Sequence, residues 1–341
     1  MEERRVRIVD IADELGLSTA TVSNVIHGKT KKVSAQTVKR VQELLEKRNY
    51  IPSMAGILLA QNNSHLIGVV VNENSKYEGR VLTDPFVADS MDCLQKEISR
   101  NGCYMMLRCT DQIEEIVRYA SMWNMVGLVL LGFCGEDYEK LRDCMHIPFV
   151  VYDGFFEDNR TSEGNFANIA VDNISGGYQM GKYLISKGYQ KILYFADNEI
   201  CMDMERFQGL VMALREEGLL MENYRIHKIP MSKKERLEHY KRNLLLYREY
   251  RAIFVASDVY AIEFMNFLLD QGIRVPEEIA VAGFDDIPEC QLVRPGLTTI
   301  RQDGSLRAKK ALEMLFWQRE HRERLAQKEV VPVSLVTRGS A

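Results

Sequence analysis

IVDIADELGLSTATVSNVIHG, residues 8–28, predicts two short helices joined by a tight turn. Apolar residues at positions 8, 11, 12 and 15 recur at helical spacing, and Gly16 lets the first helix end in a left-handed residue. Ser18 is a favourable N-cap for the second helix. The small Ala12 side chain, four residues before Gly16, allows the two helices to approach. This spacing is the steric requirement of a helix-turn-helix.

Outward from this stretch, Ser34 caps a third predicted helix whose apolar residues close a small core. The second helix presents a row of short side chains: Thr19, Ala20, Thr21, Ser23 and Asn24. Such side chains can approach base edges and phosphates without a bulky charge. On these residues alone two interpretations stay open. The unit either binds DNA or is a three-helix adaptor whose Ser and Thr hydroxyls are only solvated.

Charge is divided unevenly along the chain. Residues 1–64 contain ten Lys or Arg and seven Asp or Glu, which gives +3, whereas the whole 341-residue chain carries −4. The remaining residues therefore carry −7. A basic head has modest, salt-sensitive affinity for DNA phosphates. The chain is 46% apolar and 27% charged, which is typical of a globular protein of two or three domains and excludes wholesale disorder.

The cysteine and histidine content argues against a metal site. Seven cysteines include no C-x-x-C pair, and six histidines are scattered. We therefore expect reduced thiols, no disulfide framework and no cofactor. The best apolar run, residues 126–134, is too short to cross a bilayer, and no secretory leader follows Met1. These features predict a cytoplasmic protein without a membrane partner.

From residue 65 onward, short apolar runs alternate with longer amphipathic stretches. The predicted strands are residues 66–71, 103–107, 127–131, 149–152, 169–171, 192–195, 252–256 and 279–282. Predicted helices between them include residues 86–100, 175–187, 204–217 and 260–271. This alternation predicts an α/β body of doubly wound parallel sheets with helices on both faces. Because one sheet of that many strands is unusual, we expect two βαβ lobes side by side.

Polar residues cluster in sequence where predicted strands end, which is where doubly wound sheets bind ligands. Carboxylates with one Arg can grip sugar hydroxyls or a small polar ring, and an aromatic can stack on one face. The residues in question are Phe86, Asp153, Arg206, Ser257, Asp258, Asp285 and Asp286. The alternative is that a strand-end Asp simply caps the next helix. We expect that role for Asp258 and Asp286.

Catalytic motifs are missing from the sequence. Residues 176–182 (GGYQMGK) fit half of a phosphate-binding loop, but position 183 is Tyr, which cannot hold Mg²⁺ as Ser or Thr does. The segment also has the pattern of a helix. No G-x-S-x-G or H-E-x-x-H motif occurs. The sequence therefore predicts a protein that is not an enzyme.

Several short motifs occur along the head and the body. In the head they are VDIA (9–12), GLSTATVSNVIHG (16–28), VSAQT (33–37) and NYIP (49–52). In the body they are VDNISGG (171–177), RFQG (206–209), ASD (256–258), VP (275–276), GFDD (283–286) and PGLTTI (295–300). Together these motifs resemble the lactose-repressor (LacI/GalR) family of bacterial transcription regulators, and the resemblance covers nearly the whole chain. It implies an all-α helix-turn-helix head and a hinge helix joined to a two-lobed, periplasmic-binding-protein-like body.

The same resemblance implies domain boundaries. The head spans residues 1–51 and the hinge helix and linker span 52–64. The N-terminal lobe combines residues 65–166 with 300–326. The C-terminal lobe combines residues 167–299 with 327–341.

For DNA, the resemblance places the second helix in the major groove. The implied base-reading residues are Thr19, Ala20 and Asn24, and Asn at position 24 favours adenine. Contacts to the DNA backbone are implied for Ser18, Thr21, Ser23, His27, Ser34 and Thr37. Leu59 is the implied minor-groove wedge of the hinge. Gly56 and Ile57 depart from the family pattern, and an interior Gly weakens a helix by about 1 kcal/mol relative to Ala.

In the body, the resemblance implies an effector cleft lined by Phe86, Asp153, Arg206, Ser257 and Asp285. One member of the family, the lactose repressor itself, has Asn at the Ser257 position and a stacking Phe at the Gly304 position. The implied function is a homodimeric repressor of a carbohydrate-utilisation operon that binds near-palindromic double-stranded DNA and a small effector, a sugar being the leading choice. Control by a phosphorylated protein partner or a purine-type corepressor stays open. A sugar-binding or sugar-processing protein on the same fold is the remote alternative.

Overall fold

Three short helices form the described part of the N-terminal unit. They are α1 (Ile8–Leu15), α2 (Thr19–Ile26) and α3 (Ala35–Lys47). One apolar cluster holds them together, and its buried members are Ile11, Ala12, Val22, Val25, Val41 and Leu44. Each helix contributes two of these residues, because only one stripe of a short amphipathic helix faces the core. The bounds of α1 and α2 agree with the prediction.

The structure is a computed structural model that describes residues 6–52, 64–133, 135–152, 154, 167–199, 201–222, 224–321 and 327–341. The chain divides into two compact units, Met1–Ser64 and His65–Ala341. Within the described residues, no helix combines the length and apolar character needed to cross a lipid bilayer.

The body alternates strands and helices along its whole length. Its strands are β1 (Leu66–Val71), β2 (Tyr104–Cys109), β3 (Gly127–Leu131), β4 (Phe149–Tyr152), β5 (Ala167–Val171), β6 (Ile192–Ala196), β7 (His227–Lys228), β8 (Ala252–Val255), β9 (Ala280–Ala282), β10 (Thr299–Gln302), β11 (Gln327–Val331) and β12 (Val333–Val336). Its helices are α4 (Pro85–Arg100), α5 (Ile113–Met122), α6 (Gly135–Cys144), α7 (Asn173–Ser186), α8 (Cys201–Glu216), α9 (Lys233–Arg242), α10 (Leu244–Tyr250), α11 (Asp258–Asp270) and α12 (Gly304–Glu320).

The first sheet has six parallel strands in the order β11-β5-β4-β3-β1-β2. Its central strands are buried along their whole length because helices cover both faces. Val69 lies opposite Val129, and Val129 lies opposite Val150, so a continuous apolar row crosses the sheet. β2 and β11 keep much of their surface exposed, as expected for the two strands at the edges of the sheet.

The second sheet has four parallel strands in the order β7-β6-β8-β9. Beside it, β10 and β12 form an antiparallel ribbon. Isolated bridges join Ala282 to Thr298 and Asp285 to Arg301, so the chain after β9 lies against β10. The body is thus a two-lobed α/β structure of doubly wound parallel sheets, which confirms the predicted fold class.

The predicted lobe boundaries differ from the sheets at two strands. Residues 167–171 and 327–331 were assigned to the second lobe, but β5 and β11 belong to the first sheet. The reason is long-range pairing: Val151 of β4 lies opposite Asn168, and Val331 of β11 lies opposite Val171. The chain therefore crosses to the second lobe after β5 rather than before it.

Helices α7 and α8 pack closely because glycine occurs on both. A Cβ added at Gly177 would overlap the carbonyl oxygen of Arg206, and one added at Gly209 would overlap the carbonyl oxygen of Ile174. Neither position can accept a side chain without separating the helices. This contact sets the position of Arg206 relative to α7.

Candidate functional site

The turn between α1 and α2 has the geometry that the sequence predicts. Gly16 adopts φ +64°, and the amide N–H of Leu17 donates to the carbonyl of Ala12 at 2.9 Å. Ala12 is 1% exposed, so its small side chain lies at the contact between the helices. Ser18 then caps α2 by accepting a hydrogen bond from the Thr21 amide at 3.1 Å.

The outer surface of α2 carries the predicted base-reading residues. Thr19, Ala20 and Asn24 are all exposed. On the opposite side of the same helix, Val22 and Val25 are buried in the core. The buried valines fix the rotation of α2, so the three polar or small residues form one solvent-facing strip. The structure brings this predicted set together.

Residues predicted to contact the DNA backbone also have local roles. The hydroxyl groups of Ser18 and Thr21 lie 2.9 Å apart, and those of Ser34 and Thr37 lie 2.8 Å apart. Each pair combines an N-cap with a hydroxyl on the first helical turn. The caps leave Ser18 and Ser34 exposed at two helix N-termini, where backbone N–H groups favour anions such as phosphate.

Two further residues predicted to contact DNA lie on or just after α2. Ser23 and His27 are half-buried, and His27 is the residue at which α2 ends. The amide N–H of His27 donates to the Ser23 carbonyl at 3.0 Å. The loop that follows contains the exposed residues Lys31 and Lys32. Arg48, by contrast, is held by Glu14 at 2.6 Å.

Some predicted positions lie outside the described residues. They are Leu59, the proposed hinge wedge, with Gly56 and Ile57 beside it, and Asp153 in the body.

In the body, Arg206 is the centre of a buried polar cluster. It lies on α8, is 5% exposed, and its guanidinium stacks 3.7 Å from the centroid of the Phe284 ring. Nε donates to Asn173 Oδ1 at 2.9 Å, and Nη1 donates to the carbonyl of Ala256 at the end of β8. Nη2 lies 3.8 Å from Asp285 Oδ1. The guanidinium is therefore held by an amide, a carbonyl, an aromatic ring and a carboxylate of its own protein.

Asp285 connects this cluster to the other lobe. Its carboxylate accepts a hydrogen bond of 2.7 Å from Gln302, and Gln302 in turn accepts one of 3.1 Å from Arg307 on α12. Burial raises the pKa of Asp285 well above its ordinary value, and the guanidinium of Arg206 opposes that rise. Arg307 is 1% exposed and lies 3.8 Å from the centroid of the Tyr152 ring. A continuous polar chain thus runs from α8 through β10 to α12.

The other predicted effector residues border this chain. Phe86 lies on the first turn of α4, half-buried, with the Arg307 guanidinium 5.8 Å from its ring centroid. Ser257 caps α11 through its backbone and is half-buried, directly after the Ala256 carbonyl that Arg206 contacts. A cavity of about 690 Å³ begins at Phe86, Asp285 and Gln302. Arg206 and Ser257 are not on its wall.

Gln302, Arg307 and Tyr152 were not predicted as site residues. Gln302 ends β10, so the strand-end rule that found Asp285 would also have found it once this short strand was recognised. Tyr152 is the last residue of a strand that was predicted, but its aromatic side chain did not mark it as one of the polar site residues at strand ends. An Arg inside an amphipathic helix has the pattern of a solvent-facing residue, so nothing in the sequence marked Arg307 as a buried site residue.

Asp258 and Asp286 have structural roles, but neither is the helix cap that was predicted, since Ser257 is the N-cap of α11 and Ile287 is the N-cap of the short 3-10 helix at 288–291. Asp258 is fully buried and accepts hydrogen bonds from the Ile287 amide, the Cys290 thiol and the Thr299 hydroxyl. Burial raises its pKa to about 6, and these hydrogen bonds oppose the rise. Asp286 bridges Arg301 and Arg338. Both carboxylates join the second sheet to the ribbon of β10 and β12.

The phosphate-loop alternative is wrong for residues 176–182, because they form part of helix α7. Across the part of the chain that the structure describes, no group of three or more His, Cys, Asp or Glu is placed to hold a metal ion.

Comparisons with known proteins agree with this geometry. The family described as bacterial regulatory proteins, lacI family, matches residues 7–53, and the periplasmic binding protein-like domain matches residues 182–341. The HTH-type transcriptional repressor PurR of Mannheimia succiniciproducens is 27% identical over 96% of this chain and 95% of its own length. The HTH-type transcriptional regulator MalR of Clostridium butyricum is 25% identical over 91% of this chain and 92% of its own length.

Solved structures show the same fold over almost the whole chain. A lac repressor dimer bound to operator and the anti-inducer ONPF has a TM-score of 0.82 and 22% identity and covers 99% of each chain. The complex of the transcriptional regulator CelR with cellobiose has a TM-score of 0.71 and 23% identity, with 99% of this chain and 100% of that one covered.

A helix-turn-helix unit joined to a two-lobed effector-binding body defines a DNA-binding transcriptional regulator. Its relatives are regulators and not enzymes, which confirms the prediction that it is not an enzyme. Its head belongs to the lacI family of bacterial regulatory proteins, and its body contains a periplasmic binding protein-like domain.

Proposed function

We propose that this regulator is a dimeric repressor of a carbohydrate-utilisation operon and acts in the cytoplasm. A sugar bound between the lobes changes its affinity for the operator. The observation that carries the proposal is the polar chain Arg206–Asp285–Gln302–Arg307, which joins side chains of both lobes beside a cavity of about 690 Å³.

The chemistry of this chain favours an uncharged polyhydroxylated ligand. Asp285 and Gln302 offer oxygen acceptors, and the Gln302 amide donates, so both can exchange their mutual hydrogen bond for bonds to hydroxyl groups. A phosphate group beside Asp285 would meet the carboxylates of Asp285 and Asp286 on the cavity wall, whereas Arg206 is not on that wall. This argues against a phosphorylated sugar next to Asp285.

Regulation follows from where the ligand would sit. A hydroxyl group inserted between Asp285 and Gln302 would also disturb the bond from Gln302 to Arg307 on α12, which is the step of the polar chain that reaches the first lobe. The ligand therefore binds the two lobe arrangements with different affinity, which is the requirement for shifting a two-state equilibrium. The head then meets its operator in only one of the two arrangements.

A dimer is supported by the exposed edge of the first sheet. Strand β2 ends that sheet, with Tyr104 62% exposed and Leu107 37% exposed. Unpaired strand edges with apolar side chains are pairing surfaces, and two-fold pairing of identical edges is self-complementary. Two heads related by such an axis would match two half-sites of a near-palindromic operator.

On DNA, we assign the exposed strip Thr19, Ala20 and Asn24 to base edges in the major groove. The capped hydroxyls and nearby polar groups are assigned to phosphates, namely Ser18, Thr21, Ser23, His27, Ser34 and Thr37. Leu59 is assigned to the minor groove. Base contacts set sequence preference, whereas phosphate contacts set register and salt dependence.

The test begins with the operator itself. Selection from random duplexes with the full-length protein defines the sequence, and fluorescence anisotropy then measures operator affinity in the presence of sugars, sugar phosphates and purine bases. A neutral sugar should change the affinity at least about tenfold, which is 1.4 kcal/mol of coupling. If only a purine, a sugar phosphate or a phosphorylated protein does so, the sugar proposal is wrong.

A matched pair of variants locates the effect. Ser334→Ala removes a hydroxyl on the cavity wall, opposite Arg301 in the ribbon of β10 and β12, and should weaken the sugar response while operator affinity without sugar stays unchanged. Ser186→Ala makes the same chemical change on the exposed end of α7, where the hydroxyl donates to the Tyr183 carbonyl. An equal loss of response in both variants would refute the placement of the sugar.

A further inference from the structure

The cavity extends well beyond the predicted effector residues. From Asp285 and Gln302 it runs along the N-terminal halves of α4 and α12, and it reaches Asp89, Cys93 and Ser305. The loop after β9 and the connection between β11 and β12 close its other sides. The space is therefore built from five separate segments of the body, the fifth being Tyr152 at the end of β4, and only its beginning coincides with the polar chain.

The size of the cavity exceeds what one sugar ring requires. Its volume is about 690 Å³. A hexose occupies roughly 200 Å³, about seven times the volume share of one liquid water. One ring at Asp285 would leave most of the space to solvent, whereas two linked rings would use the extension as well.

Charges on the wall of the extension exclude an anionic second group. Arg301 is held by Asp286 at 2.6 Å, and Asp286 also binds Arg338. Arg307 is directed to Gln302 and to the Tyr152 ring. The wall also carries the carboxylates of Asp89 and Asp303, the latter capping α12. The local field is thus unfavourable for phosphate or carboxylate.

Polar and apolar groups alternate on the wall in the way that a sugar ring requires. Hydrogen-bonding groups are supplied by Asp89, Ser90, Gln291, Ser305 and Ser334. Apolar surface is supplied by Phe86, Tyr152, Pro288, Leu306, Pro332 and Val333. A pyranose ring has hydroxyl groups around its rim and C–H groups on its faces, so it meets both kinds of surface.

Gly304 allows helices α4 and α12 to lie close together at the cavity wall. A Cβ at this position would lie 2.9 Å from Asp89 Oδ2 and 3.1 Å from Cys93 Sγ. Because residue 304 has no side chain, the first turn of α12 lies directly against α4, and the carboxylate and thiol reach the cavity. Cys93 Sγ in turn lies 3.8 Å from Ser305 Oγ.

We infer that the extension along α4 and α12 is a second sugar subsite, and that the effector is a neutral disaccharide. This inference rests on the proposed function, because the first ring occupies the site at Asp285 and Gln302. The second ring contacts Asp89, Gln291 and Ser305. Ser305 is exposed on the cavity wall. Its small side chain leaves room for the second ring, and for this reason it determines specificity.

The experiment compares disaccharides with their component sugars on the full-length protein. Calorimetry with cellobiose, maltose and lactose, set against glucose and galactose, should give at least one disaccharide whose Kd is about tenfold or more below that of its component sugars. That disaccharide should also change operator affinity. If a monosaccharide binds as tightly as every disaccharide, the second subsite is wrong while the sugar effector stands. If no sugar binds, both proposals fall.

Two variants on one helix identify the subsite. Ser305→Leu fills the extension from an exposed position, and should weaken disaccharide binding about tenfold or more while monosaccharide binding changes less than about twofold. Lys309→Leu introduces the same side chain one turn further along α12, at a residue outside the cavity wall, and should change neither. Equal losses for both sugars in Ser305→Leu, or equal losses in both variants, would overturn the inference.

Discussion

Replacing Arg206 by Met should destabilise the second lobe by about 3–5 kcal/mol, the range found when one partner of a buried ion pair is removed. The change keeps most of the packing against Phe284 but removes the donors to Asn173 and Ala256 and the positive charge beside Asp285. The carboxylate then stays buried without a counter-charge.

A double-variant cycle separates the ion pair from the packing. Asp285→Asn keeps an acceptor for Gln302 and removes the charge, so the double variant Arg206→Met with Asp285→Asn should be more stable than Arg206→Met alone. The expected recovery is about 1–2 kcal/mol, within the range of coupling energies between contacting residues. Additive losses in the cycle would refute the electrostatic reasoning, as would an Arg206→Met variant within about 1 kcal/mol of wild type.

The assay is urea unfolding followed by two signals. Far-UV circular dichroism reports helices of both lobes, whereas Trp123 follows α5 and Trp317 lies on α12, two helices that pack against the first sheet. Loss of stability in the second lobe should shift the circular dichroism midpoint first. The result also bears on effector studies, because Arg206→Ala would combine loss of binding with loss of structure.

Three further predictions concern pH, packing and DNA. Burial and the neighbouring His239 lower the pKa of His227 from 6.5 to about 4, so the unfolded chain binds more protons between those values. Stability should therefore fall by about 1–2 kcal/mol as the pH drops from 6.5 to 4, and His227→Gln should flatten this decline in urea unfolding. Gly209→Ala should lower the thermal midpoint strongly, since its Cβ would overlap the Ile174 carbonyl, and overpacking of this kind destabilises by about 1–3 kcal/mol or more. Asn24→Ala should weaken binding to the selected operator by about 1–3 kcal/mol and relax preference at one base pair in a competition assay, whereas Gln42→Ala on the exposed side of α3 should not.

The head could be predicted from sequence almost completely because its signals are local. Gly16 ends one helix, Ser18 begins the next, and the apolar spacing fixes which side of α2 is buried. Eight of the twelve described strands of the body were predicted for a similar reason, since buried parallel strands are short apolar runs, whereas β7, β10, β11 and β12 were not predicted. Membership of a sheet was not predictable, because β5 and β11 pair with residues far away in the chain.

The candidate site was predictable only where it lies at recognised strand ends. Asp285 follows β9 directly, so the rule for doubly wound sheets found it. Gln302 and Arg307 complete the polar chain from a short strand and a helix interior, where nothing in the residue pattern marks them. At neither position does the sequence alone show whether the side chain is buried or solvated, because its burial depends on how the lobes pack.

The position of β11 has a consequence for how the protein is made. This strand covers β5 at the edge of the first sheet, yet it begins at residue 327 of 341. During synthesis, this edge of β5 therefore stays unpaired until β11 has been translated. Until then the nascent first sheet offers an unpaired strand to any neighbouring chain. Truncation by even fifteen residues should thus yield aggregation rather than a smaller regulator.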